Sequence, residues 1–352
     1  MAFFAFADPS DIAICENDNG FPRIWYGKYD IIFGAMIGIP LSLSHIYSSA
    51  PWGGGWLKEL FGRSDAPEVC SESWEVSADS YGMSKVVGGP FDGRTLPSLA
   101  EEFGAALTGT KAPDPHRFPL LIKLLDARRS LSVQVHPNER NAALTGGDAK
   151  SEAWIVLEAS PGAALYAGVA NGTTRESFAK AVAHGEALVG TLKRHAVDAG
   201  DVLYVPGGVV HAIGAGCLVY EVQQTSRTTY RLYDWDRVDE NGNARPLHIE
   251  QAFKSIDFDF PPVRVHHSGK SATLLRTRYF TVREYELSGD MELESDGSSF
   301  AAVFAKNGGV KLSAGGYSAS VMRGSSALLP ADAARCLVRP KTTSTKIIVT
   351  TL

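Results

Sequence analysis

The sequence predicts a mainly β protein made of two β-sandwiches or small barrels with a few helices, and three observations carry that expectation. From Phe118 onward, short apolar runs alternate with Gly, Pro and Asp turns: LLIKLL, LSVQVH, AWIVLEA, ALYAGV, DVLYVP, CLVYEVQQ and TTYRLYDW. Evenly spaced short strands with turn signals are the pattern of an all-β domain. A second set follows between Ala272 and Leu352: YFTVREYEL, FAAVFAK, YSASVM, SALLP, CLVR and TKIIVTTL. Finally, AGDVLYVPGGVVHAIG (Ala199 to Gly214) can be laid over RGSSALLPADAARCLV (Arg323 to Val338). Gly200 then meets Gly324, Pro206 meets Pro330, and His211 falls on Arg335, which reads as a duplicated structural phrase.

Taken in order, the chain opens with an N-terminal extension, residues 1–45, of unknown role. Its apolar stretch Ile31 to Leu43 contains Pro40 and is shorter than the ~20 residues of a membrane span. The acidic residues before it (Asp8, Asp11, Glu16, Asp18) are unlike the basic start of a signal peptide. A packed segment and a true start further in, for instance at Met36, both fit. Residues 46–260 form the first domain. Two helical excursions are expected in it, Leu96 to Ala106 and Arg175 to Gly185, the second opened by Thr173-Thr174 as N-cap candidates. The stretch FDFPPVRVHHSG, with Pro261-Pro262, reads as a linker, and residues 265–352 form the second domain.

Composition narrows the function. Hydrophobic residues make up 44% and charged residues 21%, and the net charge is −5. Without a Lys/Arg-rich run, neither nucleic acid nor a membrane surface is an expected partner. Cys15, Cys70, Cys217 and Cys336 are far apart and form no C-x-x-C pair, which points away from a disulfide framework and toward a reducing cytoplasm. Oligomeric state is not readable.

The chemistry concentrates in the first domain. LSVQVHP places Gln134 and His136 two apart on one strand, so both side chains share a face with Ser132. Polar groups on an inward face are costly unless something satisfies them, and a metal ion would. Glu152 opens the next run and His211 follows a Pro-Gly-Gly turn. Gln134, His136, Glu152 and His211 offer two nitrogens and two oxygens, a set suited to one Zn²⁺, with Mn²⁺, Fe²⁺ or Co²⁺ as alternatives. Glu221 alternates with Val219 and Gln223 on CLVYEVQQ; facing inward, it would serve either as a base with a raised pKa or as the partner of a histidine. His116, His184, His195, His248, His266 and His267 read as surface or capping histidines.

The ordered string FPLLIKLLDARRSLSVQVHP, KSEAW and GDVLYVPGGVVHAIGAGCLVYEVQQTSRTTYRLYDWDR resembles the type I mannose-6-phosphate isomerases, above all their shorter bacterial form. The likeness runs from about residue 50 to the end and is densest between Phe118 and Phe253. It implies two cupin-type (jelly-roll) barrels, a catalytic one within 46–260 and a second, at 265–352, without metal ligands. It also implies zinc on Gln134, His136, Glu152 and His211, a catalytic arginine at Arg231, and substrate contacts at Ser132 and Lys123. Lys150 falls on the lysine ahead of the ligand glutamate, and Arg237 on a basic residue associated with phosphate recognition. The implied reaction interconverts mannose 6-phosphate and fructose 6-phosphate through a metal-stabilised cis-enediol, with Lys150 and Glu221 as candidates for proton transfer and neither singled out. Arg227 stands where many members carry an acid. A non-catalytic sugar-phosphate-binding cupin and a different metal-dependent cupin enzyme are the rival readings. The four donors and the basic residues favour the isomerase.

Overall fold

The computed structural model describes residues 37–259 and 271–352, together with the backbone of four strand segments, Ile12–Glu16, Pro22–Tyr26, Tyr29–Ile31 and Val263–His266. The Met36 start, Pro261-Pro262, His267 and the side chains of Cys15 and His266 lie outside the described residues.

Two pairs of facing antiparallel sheets make up the fold. In the first pair, the larger sheet has the order Val263–His266, Asp201–Val205, Glu152–Ala159, Cys217–Gln224, Leu120–Ala127, Glu72–Val76, Ile46–Ser48. The facing sheet runs Leu192–Ala196, Ala164–Val169, His211–Ile213, Val133–Val135, Tyr230–Tyr233. In the second pair the larger sheet runs Ser271–Arg276, Thr281–Leu287, Thr345–Thr351, Ala301–Asn307, Ser326–Leu329, Leu41–Ser42. Its partner runs Met291–Glu294, Arg335–Pro340, Val310–Ala314, Tyr317–Val321. Each unit is thus a double-sheet jelly roll, not a closed barrel.

Two details cut across the expected boundaries. Leu41–Ser42, inside the expected extension, pairs with Ala327 and Leu328 of the second unit. Val263–His266, inside the expected linker, is an edge strand of the first unit, with Asp201 opposite His266.

The near-continuous apolar runs of the first sheet have a simple cause, because both of its faces are covered. One face carries Leu125, Trp154, Leu203 and Val219 into the first sandwich. The other carries Leu120, Ile122, Leu124 and Tyr220 onto Phe280, Phe300, Phe304 and Ile348 of the second. Each buried phenylalanine there contributes roughly 1.5–3 kcal/mol relative to exposure. A polar link sits in the same layer: Arg63 donates to both Glu75 carboxylate oxygens, at 2.9 and 2.8 Å, and also to the Gly324 carbonyl. Ser326 donates to Glu75 Oε2 at 3.2 Å, so one buried ion pair ties the two units together.

The first helical excursion forms as Leu96–Phe103 and Ala105–Thr108, broken at Gly104, whose φ is 50°. The second forms as Arg175–Val182, where Thr174 and Ser177 make a reciprocal capping box. Cys70, Cys217 and Cys336 are free and buried. Among the described residues no helix is long and apolar enough to cross a membrane.

Strand order supports the duplication but corrects the overlay. Asp201–Val205 and Ser326–Leu329 both end at the aligned proline, then cross to the facing sheet. In the first unit Gln134 pairs with His211 and both face inward. In the second unit the inward pair is Leu293 with Cys336. Arg335 lies on the outer face beside Glu292 and Glu294, its side chain 65% exposed. The turns 206–210 and 330–334 have the same length, yet the strand that follows starts inward at His211 and outward at Arg335, and a one-residue slip exchanges the faces of a strand. The imidazole is therefore replaced by a buried thiol, not by a cation.

Candidate metal centre

Three strands of the first sandwich bring the four predicted donors together. The register puts Gln134 between His211 on one neighbour and Arg231 on the other. Glu152 opens its strand opposite Val205 and Gln223. The Pro-Gly-Gly turn makes the approach of His211 possible. A Cβ on Gly207 would lie 2.4 Å from the Pro137 carbonyl, and Gly208, at φ +100°, donates its N–H to the His136 carbonyl at 2.7 Å.

His136 Nε2 is 3.2 Å from Glu152 Oε2, His211 Nε2 is 3.4 Å from Glu152 Oε1, and Gln134 Nε2 is 3.3 Å from His211 Nε2. A half-turn of the Gln134 amide exchanges its nitrogen for its oxygen without changing its shape. Donors held about 2.1 Å from a tetrahedral ion stand about 3.4 Å apart, so these spacings fit a zinc-sized site. Each imidazole donates Nδ1–H to a carbonyl, His136 to Thr228 at 2.7 Å and His211 to Val209 at 2.8 Å, which leaves Nε2 free to ligate. His136, Glu152 and His211 are all at most 1% exposed. Glu152 Oε2 is buried without an aligned hydrogen bond, and the cation now nearest to it is Lys150 Nζ at 2.9 Å.

The protonation states agree. Burial, with Lys150 nearby, lowers the His136 pKa to about 3, and burial lowers that of His211. Burial alone would raise that of Glu152, but Lys150 and the two imidazoles hold it well below the usual carboxylate range. Neutral imidazoles and an ionised carboxylate are the forms that ligate.

A cleft of about 360 Å³ opens beside this cluster, and Gln134, Lys150, Ser132, Lys123, Glu221 and Arg231 are among its walls. Lys123 lies opposite Glu221 in register, 3.7 Å from its Oε1 and 3.3 Å from Glu72 Oε2. Glu221 Oε2 accepts the Trp154 indole N–H at 3.0 Å. Burial, then the Glu152 charge, push Glu221 up to about 7. Arg231 donates to the Pro246 carbonyl at 2.9 Å, and its buried Nε has no partner. Ser132 donates to Gln134 Oε1 at 3.2 Å.

Arg237 is placed elsewhere. It donates to the carbonyls of Ser130 and Asp234 and to the Asp234 carboxylate, and it does not line the cleft. Glu72, Arg227 and Arg245 do line it, and of these Glu72 and Arg245 were not singled out from the sequence. The ARPLH segment carrying Arg245 has no strand or helix signal, and Glu72 belongs to a strand whose role emerges only from its pairing with Leu120–Ala127. Among the remaining histidines, His195 is buried, with Nε2 3.2 Å from the Ala167 carbonyl. His248 sits at the N-cap of Ile249–Ser255 and accepts the Arg231 backbone N–H.

A jelly-roll sandwich with two imidazoles, a carboxylate and an amide at the mouth of a cationic cleft is the architecture of a metal-binding cupin enzyme. Residues 41–154 match the model of the phosphomannose isomerase type I catalytic domain, and residues 270–350 that of the mannose-6-phosphate isomerase cupin domain. The mannose-6-phosphate isomerase ManA of Bacillus subtilis is 37% identical over 83% of this chain and 93% of its own. The mannose-6-phosphate isomerase of Streptococcus mutans is 36% identical over 72% and 81%. The crystal structure of the mannose 6-phosphate isomerase from Bacillus subtilis superposes with a TM-score of 0.76 at 30% identity, covering 89% of this chain and 99% of that one. The chain belongs to the type I mannose-6-phosphate isomerase family.

Proposed function

We propose that this cleft interconverts mannose 6-phosphate and fructose 6-phosphate, with one Zn²⁺ held by Gln134, His136, Glu152 and His211. The observation that carries this reading is the meeting of the four-donor cluster with a cleft walled by Lys123, Arg227, Arg231 and Arg245. A metal cluster alone suits many cupins; the added cations suit a phosphorylated sugar. The donor chemistry favours zinc, with manganese, iron and cobalt as alternatives. When bound, the ion would polarise the O1 and O2 oxygens and stabilise negative charge there.

The reaction moves one proton from C2 to C1 of the aldose and one from O2 to O1, by way of a cis-enediol. Lys150 Nζ, at the metal cluster, and Glu221, whose pKa burial brings to about 7, are the two groups placed to carry the carbon-bound proton. Arg231, in register with Gln134 and lining the cleft, would hold a substrate hydroxyl, and Ser132, on the same wall, would hold another. The phosphate is assigned to Lys123, Arg227 and Arg245, and Arg237 supports that wall by holding Asp234.

The test is conversion of fructose 6-phosphate to mannose 6-phosphate by the purified protein, before and after EDTA and after Zn²⁺ is restored, with His211→Ala as control. Activity that EDTA removes, zinc restores and the variant lacks is the expected result. A folded, metal-loaded protein without turnover would return the site to a sugar-phosphate-binding role.

A further inference from the structure

A cavity of about 720 Å³, larger than the catalytic cleft, lies in the second unit. Its place in the fold can be derived from the strand pairings. In the first unit Ala153 pairs with Val222, Glu221 pairs with Lys123, and Glu152 lies opposite Val205 just before Pro206. In the second unit Ala302 pairs with Thr350, Val349 pairs with Arg283, and Ala301 lies opposite Leu329 just before Pro330. Arg283 therefore occupies the position of Lys123, Val349 that of Glu221, and Ala301 that of Glu152. The cavity is the second unit's counterpart of the catalytic cleft, with a cation kept and the acids removed.

The loss of the acids changes the electrostatics. Lys123 is pinned between Glu72 and Glu221. Among the described residues neither Arg283 nor Arg276 has an ion-pair partner, while the charge of Lys111, which lines the same cavity, acts on Asp296. Of the acidic residues on the wall, Glu294 pairs with the outward Arg335, and Asp296, an oxygen of which accepts the Ser298 N–H, lies in the field of Lys111. Thr281 and Thr351, opposite each other in register, add hydroxyls. Two guanidinium forks, an ammonium and two hydroxyls around a hollow form an arrangement for phosphoryl oxygens.

We propose that this cavity is a second anion site, taking a small phosphorylated metabolite, separate from the catalytic cleft. The site is built from both units. Lys111 lies in the turn that follows Ala105–Thr108 of the first, where its backbone N–H donates to the Ser298 carbonyl at 2.9 Å and that of Thr110 to the Gly297 carbonyl at 3.1 Å. A ligand bridging Lys111 to Arg276 and Arg283 would hold the units together where those loops meet. The inference does not depend on the isomerase reading, because its readout is binding.

The experiment is isothermal titration of the metal-loaded protein with inorganic pyrophosphate at fixed ionic strength, comparing wild type with the Arg276→Gln/Arg283→Gln double variant. Wild type should show two sites. The double variant should lose one of them, with affinity there falling at least about ten-fold, and should keep its turnover within about two-fold. Arg339→Gln, which removes an exposed arginine from the same unit, should keep both sites. One site only in wild type, displaced by the cleft substrate, would overturn the proposal. So would two sites unchanged in the double variant, or equal weakening by Arg339→Gln. Should the double variant fail to fold, Arg276→Gln alone, at an exposed position, carries the comparison with the same criteria.

Discussion

Lys150 Nζ lies 2.9 Å from Glu152 Oε2, an ammonium only 6% exposed against a carboxylate 1% exposed. The same nitrogen is 3.1 Å from His136 Nε2. A buried cation beside a cation site weakens metal binding by repulsion, and the proposed role of Lys150 is proton transfer. Lys150→Met keeps the length of the side chain and removes its charge. Turnover should fall about 10²–10⁴-fold, the usual contribution of a positioned acid or base, while metal content per chain is unchanged or higher. Full turnover with full metal content would remove Lys150 from the reaction and leave Glu221.

The metal cluster also bears on stability. A ligand that binds only the folded chain stabilises it by about 2.7 kcal/mol at one hundred times its Kd. Zinc added to EDTA-treated wild type should therefore raise the melting temperature. His211→Ala breaks the set at the strand that also carries the Val209 carbonyl contact, and zinc should leave its melting curve nearly unmoved. A wild-type shift preserved in the variant would place the ion elsewhere.

The donor set was legible because strand alternation is a strict rule: Gln134 and His136 had to share a face, and burial on that face called for a metal. The two-unit architecture was legible through the recurring Gly and Pro of the phrase ending at Pro206 and Pro330. What sequence could not set was phase. The overlay placed Arg335 on His211, but the two strands start on opposite faces after turns of equal length, 206–210 and 330–334. Arg237, expected at the phosphate, is not among the residues lining the cleft. The turn after Tyr233 puts Trp235 and Asp236 at positive φ, 58° and 52°, and that reversal carries Arg237 behind the cleft wall while Arg245 comes forward.

The pair Arg63–Glu75, within the first unit at its seam with the second, makes a prediction free of catalysis. Glu75 is 1% exposed and Arg63 is 5% exposed. Removing one partner strands a buried charge, which costs about 3–5 kcal/mol. Glu75→Ala should lower unfolding stability by that amount, read by urea denaturation, with KM unchanged in the protein that remains folded. A loss below about 1 kcal/mol would mean that water reaches Arg63 and replaces the carboxylate.

Glu221 gives the pH dependence. Burial raises its folded-state pKa to about 7, above the ordinary carboxyl value it has when unfolded. Between those values the folded chain binds more protons, so the group lowers stability as pH rises toward 7, and the penalty is constant above it. Glu221→Gln keeps an acceptor for the Trp154 N–H and removes the charge. In EDTA-treated protein the variant should gain on wild type by about 2 kcal/mol between pH 5 and pH 8, following the rule of 1.36 kcal/mol per unit. A constant difference across that range would show that Lys123 fully compensates the carboxylate.

Asp234 holds two arginines with different fates. Arg245 donates to it through Nε at 2.7 Å with its side chain still 45% exposed at the cleft wall. Arg237 spends its guanidinium on Asp234 and on the Ser130 carbonyl. A phosphate entering the cleft meets Arg245, so Arg245→Gln should raise KM for mannose 6-phosphate about ten-fold, equivalent to ~1.4 kcal/mol, with kcat nearly unchanged. Arg237→Gln should instead loosen the Tyr230–Tyr233 strand end, lowering melting temperature more than affinity. Steady-state kinetics and a melting curve on both variants decide the assignment. If Arg237→Gln carries the larger KM effect at full stability, the phosphate lies on the far side of Asp234, and the wall formed by Arg227 and Arg245 serves another purpose.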